Sequence, residues 1–287
     1  EFADMFLEIK KGHITHNTLN MYRHSVDAYK SIHNMKLSDV KPLHIQNVVN
    51  NMVSSPATIT SYYKVVSRIF YIAINPYRII SDNPCTGVRL PRVERKNAIH
   101  AISDEDLNKF TKYMREKYPQ AYYFLQIARY TGMRLSEVYG LTWNDIDLEN
   151  RKISVNKQLQ YVKGVITFEK TKTANSVRIL PIPPILVNIL MEYKSHELEF
   201  EHDLVLNPYK KNGVKCQVNT YIKQFGDNLS AHSLRHTYAT KLLANGLDVK
   251  TVSSLLGDTP AMVMKTYLHF SSEMKAAASN AVANIFR

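Results

Sequence analysis

The sequence predicts a mainly α-helical protein of two domains, with a small antiparallel β-meander set into the second. Three observations predict it. Apolar residues recur at three- and four-residue spacing along most of the chain, the mark of helices with one buried face. Only between Lys152 and Ile182 does the pattern change to short β-rich runs separated by turn residues. Between them, a basic stretch punctuated by proline, Val88–Asn97, interrupts a chain of 287 residues, a length suited to about two domains.

Residues 1–88 read as a helical domain. Phe2–Ile9, Leu19–Ile32, Ile45–Val53 and Ile59–Ile74 carry the helical spacing. Lys41–Pro42 and Ser54–Ser55–Pro56 are helix starts, and Asn75–Pro76 and Asn83–Pro84 break the chain direction. Residues 89–98 read as an extended interdomain linker whose basic residues suit a strap along phosphates, although a merely solvated linker fits the same composition. Residues 99–287 form the second domain. Ser103 caps a helix with Asp104, Glu105 and Asp106 in its first turn, where carboxylates favour the helix dipole. Helices continue through Tyr122–Tyr130 and Arg134–Leu141. Ile153–Val155, Val165–Phe168 and Val177–Leu180 then read as a three-stranded meander. Helices resume near Pro184, and a final helical tail is expected over Glu273–Phe286 behind Ser272.

Composition bounds the function. There are 37 Lys and Arg against 25 Asp and Glu, a net charge of +12. Residues 1–95 carry 12 basic and 7 acidic groups, and residues 96–287 carry 25 and 18, so the excess belongs to both parts. Such a balance points to a polyanion, with nucleic acid foremost. An apolar content of 45% excludes a disordered tail, a collagen or a coiled-coil rod. No run approaches the ~18–20 apolar residues of a membrane span, and no signal peptide is visible. Cys85 and Cys216 make no disulfide framework and no four-ligand zinc site, and read as free thiols. A cytoplasmic, nucleoid-associated protein without membrane contact is the expectation.

Four segments hold residues able to do chemistry. In Thr131–Leu141, Gly132 ends one helix and Arg134 opens the next, with Glu137 three residues on and on the same face. An Arg fork fits two phosphate oxygens, and Glu137 can hold that fork. Alone, such a pair is more often an exposed ion pair contributing about 0.2–0.5 kcal/mol. In His232–Tyr238, His232, Arg235 and His236 share a helical face. The two histidines have the spacing of zinc ligands, but Ser233 stands where the metalloprotease pattern needs Glu, and no third ligand is evident. In Leu255–Pro260, Gly257 caps one helix and Thr259 with Pro260 starts the next, which carries Tyr267 two turns in. Phe168–Arg178 reads as a strand, a polar turn holding Lys172, and a strand.

In combination, and in the order Arg, Lys, His-x-x-Arg, Tyr, these segments resemble the tyrosine recombinase (lambda-type integrase) family. The stretches TGMRLSEVYGLTWNDID, TKTANSVRILPI, HSLRHTYAT, and LLGD followed by MKTYLH carry the match. It spans roughly residues 100–275, and the first 95 residues resemble the family's helical core-binding domain. The resemblance implies a core-binding domain joined to a mixed α/β catalytic domain. Residue by residue, it implies that Arg134 and Arg235 clamp the scissile phosphate and that Tyr267 attacks phosphorus to give a 3′-phosphotyrosine. Lys172 protonates the departing 5′ oxygen, His232 assists proton transfer, and Glu137 supports the first Arg. Asp258 departs from the family, which has His or Trp there. An anion beside a phosphate repels it unless Asp258 turns away, is protonated, or bridges to an Arg or His, so no catalytic role is assigned to it.

The physical logic runs in parallel. In-line attack builds charge on the equatorial phosphate oxygens, where two guanidinium groups supply fixed donors. A phenol of pKa ~10 needs that clamp and a base to act at neutral pH. A covalent phosphotyrosine retains the bond energy, so resealing needs no ATP; neither a Gly-rich phosphate loop nor a carboxylate cluster suited to Mg²⁺ is evident, and no cofactor or metal is expected. The expected partners are duplex DNA at recombination sites and further copies of the chain, four when two sites are synapsed, with an accessory directionality factor a further candidate. The expected function is a mobile-element integrase working through a Holliday junction. A Xer-type chromosome-dimer resolvase, a type IB topoisomerase-like enzyme and a catalytically inactive DNA-binding protein remain as alternatives.

Overall fold

The computed structural model describes residues 1–93, 101–162, 165–170, 177–226 and 229–267, without the side chains of residues 170, 266 and 267. The chain divides into two compact units, Glu1–Arg95 and Lys96–Arg287. The expected linker, 89–98, straddles that division. Arg89 belongs to the first unit, because Gln46 bonds its backbone on both sides, accepting from its N–H at 2.8 Å and donating to its C=O at 3.0 Å. Residues 94–98 of the linker and the expected tail helix, Glu273–Phe286, lie outside the described residues.

The first unit is built on helices α1 (Phe2–Lys11), α2 (His16–Asp27), α3 (Pro42–Asn51) and α4 (Pro56–Ile74). Helix α4 shows why they form. Ser55 Oγ accepts the Thr58 N–H at 3.2 Å, and Pro56 takes the first helical position, where its missing N–H costs nothing. Ile59, Val65, Val66, Ile69, Phe70 and Ala73 are then buried in one stripe. Ile59, Val66 and Phe70 close one small core with Tyr29, Ile45, Val49 and Cys85, and Val65 and Ile69 close another with Phe6 and Val26. Cys85 is free and buried, and burial pushes its thiol up to about 12, so it stays protonated and inert. Cys216 is free and exposed.

The second unit is organised by α6 (Pro119–Thr131), which follows α5 (Asp104–Lys117). Helix α5 starts where the sequence predicts, with Ser103 Oγ accepting the Asp106 N–H at 3.1 Å. It turns Leu107, Phe110 and Met114 inward. Helix α6 is buried almost all round, from Ala121 to Ala128, as befits a helix surrounded by others. It packs against α5, α8 (Pro184–Lys194), α9 (Lys211–Ile222) and α10 (Ala231–Ala244). Thr237 of α10 accepts the Ile102 N–H at 3.0 Å, which fixes where the unit begins. No helix among the described residues is long and apolar enough to cross a membrane.

The β region departs from a single three-stranded meander. Strands β1 (Ile146–Asp147), β2 (Lys152–Val155) and β5 (Arg178–Pro181) form one antiparallel sheet in the order β1-β2-β5. Strands β3 (Lys157–Val162) and β4 (Val165–Lys170) form a separate hairpin. Val165–Phe168 therefore pairs with 159–162, and β5 skips the hairpin to pair with β2, placing Ile153 opposite Leu180 and Val155 opposite Arg178. Strand β3, KQLQYV, carries polar residues at alternate positions and reads as a turn in sequence. Gln160 is nonetheless buried and bonds Glu169 Oε2 at 2.6 Å across the hairpin. That cross-strand partner joins buried Leu159 in holding the strand.

Candidate active site

The short helix α7 (Leu135–Val138) follows α6 after a tight turn. Gly132 ends α6 with φ +63°, and a Cβ built there would stand 2.5 Å from Cδ1 of Tyr238. Both the left-handed backbone and the close ring require glycine. Gly132→Ala should therefore lower stability by about 1–3 kcal/mol, read as a fall in Tm; an unchanged Tm would show that the turn relaxes freely. The same turn presents Arg134 immediately ahead of α7.

Glu137, in the first turn of α7, holds Arg134 twice. Its Oε2 accepts the Arg134 backbone N–H at 2.9 Å, and its Oε1 accepts Nη1 of the Arg134 guanidinium at 2.7 Å. Glu137 thus touches both the backbone and the fork of Arg134. Glu137 is itself buried and needs more than one positive partner. Arg178 of β5 supplies it, with Nη2 to Glu137 Oε2 at 2.9 Å and Nη1 to Oε1 at 3.3 Å. Arg178 Nε also donates to the Leu255 carbonyl at 2.7 Å. Burial pushes the Glu137 carboxyl up, but Arg178 and then Arg134 outweigh it and hold the group below the ordinary value of 4.5. Lys211 of α9 ties α7 to β3 by donating to Ser136 Oγ at 3.2 Å and to the Leu159 carbonyl at 2.6 Å. Burial pushes this lysine down to about 8.

Arg235 lies in the buried middle of α10. Its Nη1 donates to the Gly132 carbonyl at 2.9 Å, and its Nη2 to the Leu256 carbonyl at 2.8 Å. Both carbonyls belong to the ends of helices, α6 and α11 (Val249–Leu256), where the last turn leaves them without intrahelical donors. One guanidinium therefore finishes two helices and is fixed in place by them. Burial, and then the neighbouring Arg134 charge, lower the Arg235 pKa, while Asp258 opposes the change.

Asp258 follows Gly257, which ends α11 with φ +66°. Its N–H donates to the Ser253 carbonyl at 3.0 Å, the outer hydrogen bond of a Schellman turn. Thr259 then starts α12 (Pro260–Tyr267), its Oγ1 accepting the Met262 N–H at 3.3 Å. Ala239, Leu243, Val252, Leu256 and Val263 pack α10, α11 and α12 together and set the turn against Arg235. The Asp258 carboxylate bridges both arginines: Oδ1 accepts from Arg134 Nη2 and Oδ2 from Arg235 Nη2, each at 2.5 Å.

His232, one turn before Arg235 on α10, faces solvent, although protein crowds its base. That crowding and then the charges of Arg235 and Arg134 push its pKa below the ordinary histidine value, against a smaller pull from Asp258. The ring is therefore neutral at neutral pH and able to accept a proton. It meets His236 edge to face, with centroids 4.7 Å apart, and burial first, then His232 and Arg235, take His236 down to about 4.

Of the residues singled out in sequence, Arg134, Glu137, His232, Arg235 and Asp258 come together here. Tyr267 is the last residue of α12, and its side chain lies outside the described residues, as does Lys172. Arg178 was not foreseen as part of this cluster. A signal for it exists: in β5 it shares the inward face with Leu180 while Ile179 is 64% exposed. A guanidinium on the buried face of a strand requires a carboxylate partner.

Residues 100–274 match the phage integrase family model, and residues 1–53 match the phage integrase N-terminal SAM-like domain. The chain belongs to the phage integrase family, the tyrosine recombinases that cut and rejoin DNA. It is 28% identical, over 89% of its length and 74% of the relative's, to a XerC-like tyrosine recombinase of Caldanaerobacter subterraneus subsp. tengcongensis. Its fold is similar to that of the Tn1549 transposon integrase in complex with transposon right end DNA, with a TM-score of 0.76, 21% identity, and 98% and 99% of the two chains covered. It is also similar to a lambda integrase tetramer bound to a Holliday junction, with a TM-score of 0.67, 17% identity, and 91% and 76% covered.

Proposed function

We propose that this recombinase is the integrase of a mobile element, which cuts and rejoins DNA at specific sites through a 3′-phosphotyrosine and a Holliday junction. The observation that carries the chemistry is the convergence of the Arg134 and Arg235 guanidiniums on a single anion position, with neutral His232 beside it. In the reaction a scissile phosphate takes that position. The two forks meet its non-bridging oxygens, and their charge matters most as the equatorial oxygens gain charge in the transition state. Tyr267 attacks in line, His232 takes or returns its proton, and Lys172 protonates the departing 5′ oxygen. Glu137 and Arg178 keep Arg134 aimed. Four copies on two DNA sites, an accessory directionality factor and a cytoplasmic, nucleoid-associated setting complete the reading. The mobile-element assignment draws support from the fold shared with a transposon integrase; the XerC-like relative favours a chromosome-dimer resolvase as the second reading.

The test is incubation of the full chain with nicked half-site DNA. Wild-type protein should form a protease-sensitive covalent adduct, and Tyr267→Phe should form none while binding the same DNA. Binding without an adduct in the wild type would make the chain an inactive DNA-binding protein. Joining of two labelled duplexes separates strand exchange from topoisomerase-like relaxation.

A further inference from the structure

We propose that Asp258 is a removable stand-in for the scissile phosphate: in the DNA-free protein its carboxylate closes the Arg134–Arg235 clamp, and it must leave before a phosphate can enter. The inference rests on the reading of these two arginines as the phosphate clamp.

Three features of the turn support it. Asp258 offers one oxygen to each guanidinium, at 2.5 Å in both cases, the same pair of contacts that two non-bridging phosphate oxygens would make. Both guanidiniums are otherwise fixed from behind. Arg134 is held by Glu137, and Arg235 by the carbonyls of Gly132 and Leu256. The two meet at one anion position, and Asp258 fills it. The backbone of Asp258 is locked by its N–H to Ser253, so the whole turn does not have to move. The side chain can: it is 19% exposed, against 3% for Arg235, and rotates about two short bonds.

The charge balance explains why such a device is useful and why it is reversible. Two guanidiniums brought to one point repel each other, and an anion between them offsets that repulsion. A carboxylate supplies it in the free protein and joins both forks. A phosphodiester supplies one negative charge as well, through two non-bridging oxygens for the forks, and leaves its phosphorus open to the nucleophile. Both anions cannot occupy the position, because they would repel each other at contact distance in a partly buried site. Asp258 thus acts on phosphate binding and positions the two arginines without touching the reacting atoms. A family His or Trp at this place would donate to the phosphate; an Asp competes with it.

The decisive measurement is the affinity of the full chain for inorganic phosphate, taken from the rise of Tm with phosphate at constant ionic strength. Asp258→Asn keeps the shape and removes the charge, and Asp258→Ser keeps a small polar group if the amide variant folds poorly. Removing an occupant that fills the clamp nine-tenths of the time raises apparent affinity about tenfold. The expected result is therefore phosphate binding at least about tenfold tighter in either variant, abolished again by adding Arg235→Ala. On nicked half-site DNA the same variants should reach half-maximal adduct at lower DNA concentration, with the limiting rate changed less than the half-saturation point. Equal or weaker phosphate binding in both variants would overturn the proposal and make Asp258 a permanent brace. The phosphate result stands apart from the recombinase reading, which fails only if wild-type protein forms no adduct.

Discussion

Arg235→Lys should reduce covalent adduct formation on nicked half-site DNA by at least about 10²–10³-fold, the range seen when one fixed donor to a developing oxyanion is lost. Lysine keeps the charge but not the fork. Arg235 divides its donors between the carbonyls that end α6 and α11 and an anion shared with Arg134. A single ammonium cannot serve two carbonyls from different helices and also present a flat pair of donors to phosphate. It would settle on one carbonyl and leave the other without a donor. DNA affinity should change far less, because the neutralised phosphates of a duplex site are many and this is one of them. Gel-shift affinity at fixed salt and the initial rate of adduct formation separate the two quantities. An adduct rate within tenfold of wild type would remove Arg235 from the chemistry.

Arg178→Met should destabilise the second unit by about 3–5 kcal/mol, the usual consequence of removing one partner from a buried ion pair. Methionine fills much the same volume but leaves Glu137 buried with Arg134 as its remaining cationic partner. It also strips the Leu255 carbonyl of its donor. Urea unfolding measures the loss; a change under about 1 kcal/mol would show that the pair is replaceable, as exposed pairs are. The pH dependence has a definite sign. In the wild type the Glu137 carboxyl titrates below 4.5 in the folded state. Its stabilising contribution is present above the unfolded value and is lost as pH falls through the folded one. Without Arg178, burial raises the folded value, so this acid-side loss shrinks or reverses. The unfolded value is common to both proteins, so the stability gap between variant and wild type should be widest at neutral pH and narrow as pH falls from the variant's raised folded value to the wild type's lowered one. Because Glu137 also steers Arg134, the adduct rate should fall together with stability, and Arg178→Lys should restore part of both.

The helices of both units were legible in the sequence because their ends are local events. Ser55, Ser103, Gly132, Gly257 and Thr259 each act on backbone groups within a few residues, so their chemistry can be read in order along the chain. Arg134 with Glu137 was legible for the same reason: three residues on one short helix place the carboxylate on the fork. Of the hairpin, β4 was legible as the run Val165–Phe168, and β3 was not. The hairpin's polar pair, buried Gln160 and half-buried Glu169, lies nine positions apart, and the alternation in KQLQYV is short and begins with two polar residues. Arg178 is not legible in the same way, because its partner, Glu137, is 41 positions earlier, and a lone basic residue in a short strand looks like a solvated one.

Asp258 marks the boundary most clearly. In sequence it is an anion where the family has a donor, and three outcomes were open: turned away, protonated, or bridging. The structure decides for the bridge. By itself the sequence determined which residues carry charge and chemistry and where capped helices such as α4 and α5 begin, since caps and turns depend on neighbours in the chain. Only the tertiary structure decided which charges meet. Asp258 reaches Arg134 across 124 positions and Arg235 across 23, because apolar packing of α10, α11 and α12 sets their places, and hydrogen bonds between charged groups act over ångströms in space whatever the distance along the chain.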